Sequence, residues 1–328
     1  MSTFPDGLFQ FNGAPVGGGR YEGMWEGKAH FVDYDNGVSG ADGHSAKSPG
    51  KYLQTAIDQA TPWDVIYIRP RDPAAGSGEG GGANYHLPES TTNWNIPYTA
   101  YGLSLIGTGI SRGNTTMATY LRGGAVTTDE PVLELRSCWN NIENLAFHNG
   151  ASDEAQIKSL RSATATDRAY ANTYNSCIFR FGENFVENNL QGCIHIESSS
   201  YEGIYNCIFQ ASPCAINIRT SLGAVTGLVI QGCLFTGVAT EVQGDIISAG
   251  GTLNNLTIKD CTFNHAVPSK SVYAAALNRY VYIGAASTGL VSHCWTGAAD
   301  PTVADNFTLN GVLYSEIHIL QEEELVVE

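Results

Sequence analysis

Apolar and polar residues alternate along most of this 328-residue chain in short bursts of two to five positions, without helical waves except near residue 55. One burst recurs as Cys, a single spacer, then Phe: Cys177 and Phe179, Cys207 and Phe209, Cys233 and Phe235, Cys261 and Phe263. An earlier copy carries Leu145 and Phe147, and in the last copy Trp295 follows Cys294 directly. The cysteine steps are 30, 26, 28 and 33 residues. A spacing of two is the strand period, so Cys and Phe share a face. Leu228 and Ile230, and Leu256 and Ile258, alternate just ahead of the phrase. A second strand precedes each copy, at Val132–Leu135, Cys193–Ile196, Cys214–Ile218, Asp245–Ser248, Tyr280–Ile283 and Glu316–Ile319. The unit is strand, turn, strand, then a longer loop of variable length.

One such unit cannot bury its apolar face alone, whereas units stacked in register pile like residues on like residues. The pattern predicts an all-β chain, a right-handed parallel β-helix, with the hand taken from the crossover rule for parallel strands. A β-propeller needs four antiparallel strands per blade and a period of roughly 40–45 residues. The leucine–asparagine consensus of a leucine-rich repeat is absent.

Leu53, Ala56, Ile57 and Ala60 fall at helical spacing and predict a short helix over 51–60, ahead of a strand within Asp64–Pro70. A helix placed there caps the open end of a solenoid, which otherwise exposes an apolar face and a strand edge. The chain divides into an arm at 1–30, an opening segment at 31–70, a body at 71–320 and an acidic tail at 321–328. Residues 71–95, 152–172, 264–279 and 296–312 break the pattern and read as loop excursions. The arm has no periodicity but carries Phe4, Phe9, Phe11, Tyr21 and Trp25, which suits docking onto a neighbour better than free disorder.

Composition narrows the partners. A formal net charge of −15 argues against nucleic acid and anionic membrane. No apolar run reaches the roughly 20 residues of a membrane helix, and Met1–Asp6 lacks the basic start and apolar stretch of a secretory leader. With no such leader expected, the eight cysteines read as free thiols, five in an interior column and Cys138, Cys193 and Cys214 at strand edges in the core. No Cys or His spacing of a metal site is present, and no cofactor is expected.

Candidate chemistry lies on the opposite parity. With Ile194 and Ile196 inward, His195 and Glu197 face out, the next coil places Asn217 and Arg219 there, and the preceding one Glu134 and Arg136. Such a column suits a glycan-contacting or acid–base patch; a solvated cross-strand charge pair is the plainer reading. Asp33 and Asp35, with Asp42 beyond, offer oxygen ligands of the kind calcium takes, but lack the spacing and closing Glu of an EF-hand, so turn capping is preferred. Tyr85, Trp94, Tyr98 and Tyr101 are loop aromatics able to stack on sugars.

The run from Phe31 to Pro70, with Asp33, Asn36, Gly37, Asp42, Gly43, Pro49, Ala56, Ile57 and Ile66–Ile68, resembles the opening segment of many right-handed β-helix proteins, and Leu103–Gly109 resembles their first full coil. Those proteins include pectate lyases, polygalacturonases and phage tailspikes. An irregular Gly- and aromatic-rich arm ahead of the capping helix looks most like the phage virion members. The resemblance implies a structural appendage, spike or capsid-decorating protein, assembled in the host cytoplasm as a homotrimer with other virion proteins and meeting host polysaccharide. The paired-carboxylate, Gly-His-Gly and Arg-Ile-Lys patterns of polygalacturonases are missing, and no Asp cluster of the pectate-lyase kind is seen. A polysaccharide-degrading enzyme is the rival expectation.

Overall fold

The computed structural model describes residues 9–11, 14–16, 27–71, 85–86, 94–109, 118–122, 131–148, 155–161, 167–180, 192–210, 214–236, 244–248, 250–264, 279–297 and 307–319. Its architecture is a parallel β-helix. Among these residues there is one 17-stranded sheet and one eight-stranded sheet, and every pairing in both is parallel. The larger sheet holds two ladders side by side, exemplified by Asn141–Glu143 and Leu145–His148 within one coil. The smaller sheet holds the third strand of each coil, from Trp94–Ile96 to Phe307–Thr308.

A full coil therefore has three ladder strands, two coils adding a short fourth at Val225–Thr226 and Leu253–Asn254, which pair with each other, and the recurrent Cys phrase marks the bend between the two strands of the larger sheet. The residue before each Cys slot sits in the left-handed region: Asn144, Ser176, Asn206, Gly232, Asp260 and His293, with φ between 53° and 65°. Gly, Asn and Asp enter this region most readily, and His is enriched there too. The bend interrupts the ladder, and the thiol covers the gap. Cys177 Sγ donates to the Ile142 carbonyl of the preceding coil at 3.4 Å, and Cys207 and Cys233 repeat the contact with Tyr174 and Ile204, each at 3.6 Å. An alanine would fit the space but supply no donor.

Beyond the thiols, Phe147, Phe179, Phe209, Phe235 and Phe263 stack face to face, with centroids 4.8–5.2 Å apart and planes within 9° of parallel. All five are buried. Thr296 takes the next slot beside Phe263, and Tyr280 and Phe307 close the column. At the other end, helix α1 (Leu53–Gln59) inserts Leu53, Ala56 and Ile57 into the same core.

Several elements depart from the sequence pattern. Ile157–Leu160 is a strand of the eight-stranded sheet, inside the excursion expected at 152–172. Its inward Ser159 is polar because it joins a buried hydrogen-bond network, which breaks the apolar alternation. Tyr85–His86 and Trp94–Ile96 are strands within the expected loop at 71–95, and Trp94 is a core residue, not a sugar-stacking one. Phe307–Thr308 occupies the eight-stranded sheet within the excursion expected at 296–312, so Leu313–Ile319 pairs in the larger sheet instead. The solenoid's first strand, Ala29–Val32, begins inside the segment assigned to the arm. Cys193 and Cys214 are buried, but Cys138 is half-exposed at a corner.

Candidate functional site

The outer column is longer than the sequence suggested, because the strand Ile157–Leu160 separates its members. One register row runs Asn95, Glu134, Lys158, His195, Asn217 and Ile247. Glu134 and Arg136 thus stand two coils from His195 and Glu197, not one. Glu134 Oε2 accepts from Arg136 Nε at 2.7 Å, and Asp167 lies 3.3 Å from the same guanidinium. That hydrogen bond, with the charges of both carboxylates, raises the Arg136 pKa.

His195 does not reach solvent; it is 1% exposed. Its Nε2 lies 3.0 Å from Glu197 Oε2, while Ser221 Oγ donates to Glu197 Oε1 at 2.5 Å. Burial pushes His195 below its ordinary value although Glu197 pulls the other way. The His195 hydrogen bond, against the opposing effect of burial, and then Ser221 and the Arg219 charge hold Glu197 down at about 2. Arg219 is exposed and pairs in register with Glu197 on the adjacent coil. Ser221 bonds the carboxylate and not the imidazole, so this is no nucleophile–base relay. A carboxylate titrating near 2 is not a general acid at neutral pH. The column offers acceptors and a cation to a hydroxyl-rich ligand.

The calcium candidates do not converge. Arg69 Nη1 donates to Asp33 Oδ2 at 2.7 Å, and Asp33 Oδ1 accepts the turn N–H groups of Asp35 and Asn36. Arg71 Nε binds Asp35 Oδ1 at 3.1 Å, and Asp42 accepts the His44 N–H. Among the described residues no group of three or more His, Cys, Asp or Glu is arranged to hold a metal. Of the arm aromatics, Phe4, Tyr21 and Trp25 lie outside the described residues. The backbone of Phe9–Phe11 forms a short antiparallel hairpin with Ala14–Val16. Tyr85's side chain is likewise outside, whereas Tyr98 and Tyr101 are exposed.

Sequence reasoning missed a cavity of about 310 Å³ on the outer surface of the bend, lined by Asn175, Tyr205, Asn206 and Gln231. Asn175, Tyr205 and Gln231 occupy one row of the first ladder. Gly203 makes room for the Tyr205 ring, which a Cβ there would meet at 2.4 Å. The legible signal was the polar residue one or two places ahead of each Cys.

No protein-family model matches the chain, and no curated protein does. Among solved structures it is similar to the tailspike protein of Acinetobacter phage vB_ApiP_P1, at 15% identity and a TM-score of 0.32. The match covers 89% of this chain and 61% of that one, so the chain spans less than two thirds of that tailspike's length.

Proposed function

We propose that this chain is a surface protein of a phage-like particle, an appendage, spike or capsid decoration that holds a rigid β-solenoid outward and meets host glycans along its outer faces. The observation that carries the reading is the continuity of the ladder from Ala29 to Ile319. No interior coil opens without breaking strand pairs on both sides, so such a rod resists proteolysis and local unfolding. That property suits life on a particle surface. The likeness of the segment from Phe31 to Pro70 to the opening of right-handed β-helix proteins, and of the Gly- and aromatic-rich arm ahead of it to virion members, agrees with it. In this reading the segment 1–30 is the attachment arm, the assembly is a homotrimer, and Glu134, Arg136, Glu197 and Arg219 contact glycan hydroxyls, with His195 orienting Glu197 from below.

The test is composition of purified particles. Antibody against the chain should decorate particles banded on a density gradient, and the chain released from them should weigh three times 35.0 kDa by light scattering. A chain found only in the particle-free fraction would remove the reading. Incubation with host surface polysaccharide addresses the rival: release of oligosaccharides would replace a structural role with a lyase or hydrolase.

A further inference from the structure

A corner of the solenoid, between the eight-stranded sheet and the first ladder of the larger one, carries a second left-handed column. Trp63, Gly102, Trp139, Ala171, Tyr201 and Gly227 occupy it in successive coils, with φ between 54° and 75°. Each sits two residues ahead of paired positions in the first ladder, so they are in register along the axis. The column alternates large and small. The Trp63 ring lies over Gly102, where a Cβ would meet it at 2.2 Å, and the Tyr201 ring lies over Gly227, where a Cβ would meet it at 2.6 Å.

Tyr101 and Tyr170, one residue ahead of the small members, fill the intervals. Trp63 stacks on Trp139 with centroids 5.8 Å apart and an interplanar angle of 22°. Tyr101 meets Trp63 edge-on at 5.7 Å, and Tyr170 meets Trp139 edge-on at 5.3 Å. The stripe still faces water: Tyr101 is 36%, Trp139 44% and Tyr201 62% exposed.

Two facts ask for a reason. Bulky aromatics are strained in the left-handed region, where Gly or Asn is comfortable, and strain of this kind gathers at functional sites. An aromatic line in water also forfeits the burial that would justify it. Candidate occupants differ in what they need. A second copy of the chain needs on the order of 800 Å² per partner, and three part-exposed rings offer roughly 300 Å². Single-stranded nucleic acid also stacks on aromatic rows, but it needs a cationic groove, and this chain carries a net charge of −15. A linear chain of neutral pyranoses needs neither. Its C–H faces are flat and apolar, its rings repeat along one line, and it brings no charge to an acidic surface.

We infer that the Trp63–Tyr201 corner is a stacking platform for a neutral, equatorially linked polysaccharide lying along the solenoid axis. The inference rests on the glycan-facing half of the proposed function and not on the particle. The test is affinity electrophoresis of the full chain through gels containing hydroxyethylcellulose, with dextran as the control polymer of bent linkage. Retardation by hydroxyethylcellulose alone is expected. In the double variant Trp139→Gly, Tyr201→Gly the apparent dissociation constant should rise by about tenfold or more, since two stacking rings are gone. Gly relieves the left-handed strain at both positions, which offsets part of the ring contacts Trp139 loses with Trp63, Tyr101 and Tyr170, so the variant should still fold. A native chain that runs unretarded, or a folded variant retarded as strongly as the native chain, overturns the inference.

A second measurement covers a variant that does not fold. N-bromosuccinimide oxidation of Trp139 in the native chain, mapped by mass spectrometry, should slow when cellohexaose is added; an unchanged rate overturns the inference equally. Failure here leaves the particle test untouched, and a chain absent from particles leaves this retardation untouched.

Discussion

Glu202 fills the interior slot that Asn140 and Asn172 hold in the two preceding coils. Asn140 Nδ2 donates to Asn172 Oδ1 at 3.0 Å, and Asn172 Nδ2 reaches Glu202 Oε1 at 3.3 Å. Ser159 Oγ donates to the same oxygen at 2.9 Å. Ser199 Oγ contacts both Glu202 and the Ala169 carbonyl, and one hydroxyl proton cannot serve two acceptors. A proton on Glu202 resolves the conflict: the acid donates to Ser199, which donates to Ala169. Burial pushes the Glu202 pKa up to about 7, against the pull of these hydrogen bonds. A raised carboxyl pKa means that the fold binds the neutral acid better than the unfolded chain does. The associated stability is complete below the unfolded value near 4.5, falls as pH rises from there through about 7, and is absent above; the full span is on the order of 3 kcal/mol. Glu202→Gln keeps the amide pattern and cannot ionise. Thermal melts at pH 5 and pH 8 should show a larger drop for the native chain than for the variant, which should be the more stable of the two at pH 8. Equal drops would contradict a buried ionising Glu202. None of this network was legible in the sequence, where inward polar residues look like the end of a strand. Ser159 hid a whole strand in this way, and with it the true spacing between Glu134 and Glu197.

At the level of elements, the sequence was clearest where one residue type repeats. The Cys phrase located the second ladder and its interior face, because Phe and Cys two apart must point the same way. The bend was also written there, in the Asn, Ser, Asn, Gly, Asp and His that precede the Cys slot, though its meaning needs φ values to read. Two-residue strands such as Tyr85–His86 carry too few positions for any periodicity to register. The Phe column then makes a quantitative claim. Phe209 is buried between Phe179 and Phe235, at centroid distances of 4.9 and 5.0 Å. Neighbouring coils are fixed by their ladders on both sides, so they close little of the space left by truncation. Phe209→Ala should therefore cost about 3–5 kcal/mol, toward the upper end for a cavity that cannot collapse. Equilibrium denaturant unfolding measures it, and a cost below about 1 kcal/mol would mean that the stack is replaceable packing.

For the molecule as a whole, the energetics are those of a one-dimensional stack in which each coil is held by its neighbours. The two ends differ. At the first coil α1 covers the core with Leu53, Ala56 and Ile57. At the other end, among the described residues, Leu313–Ile319 pairs on one side only, with Gly289–Thr296, and presents Leu313 at 72% exposure beside the exposed Tyr314. A strand bonded on one side opens by breaking one ladder, whereas a middle strand must break two. Native-state hydrogen exchange should therefore show a gradient along the axis among the described residues. Amides of Thr173–Asn175, Gly203–Tyr205 and Val229–Gln231 should exchange only by the largest openings, and those of Leu313–Ile319 by the smallest. The Ala29–Val32 strand should lie nearer the middle group than the far end, because α1 packs beside it. If a second copy or another protein covers the far end in the assembled state, protection of Leu313–Ile319 should rise with protein concentration or in particles, while the middle coils stay unchanged. Uniform protection from end to end in the dilute isolated chain would show that the solenoid opens only as a single unit, and the nearest-neighbour account of its rigidity would have to be abandoned.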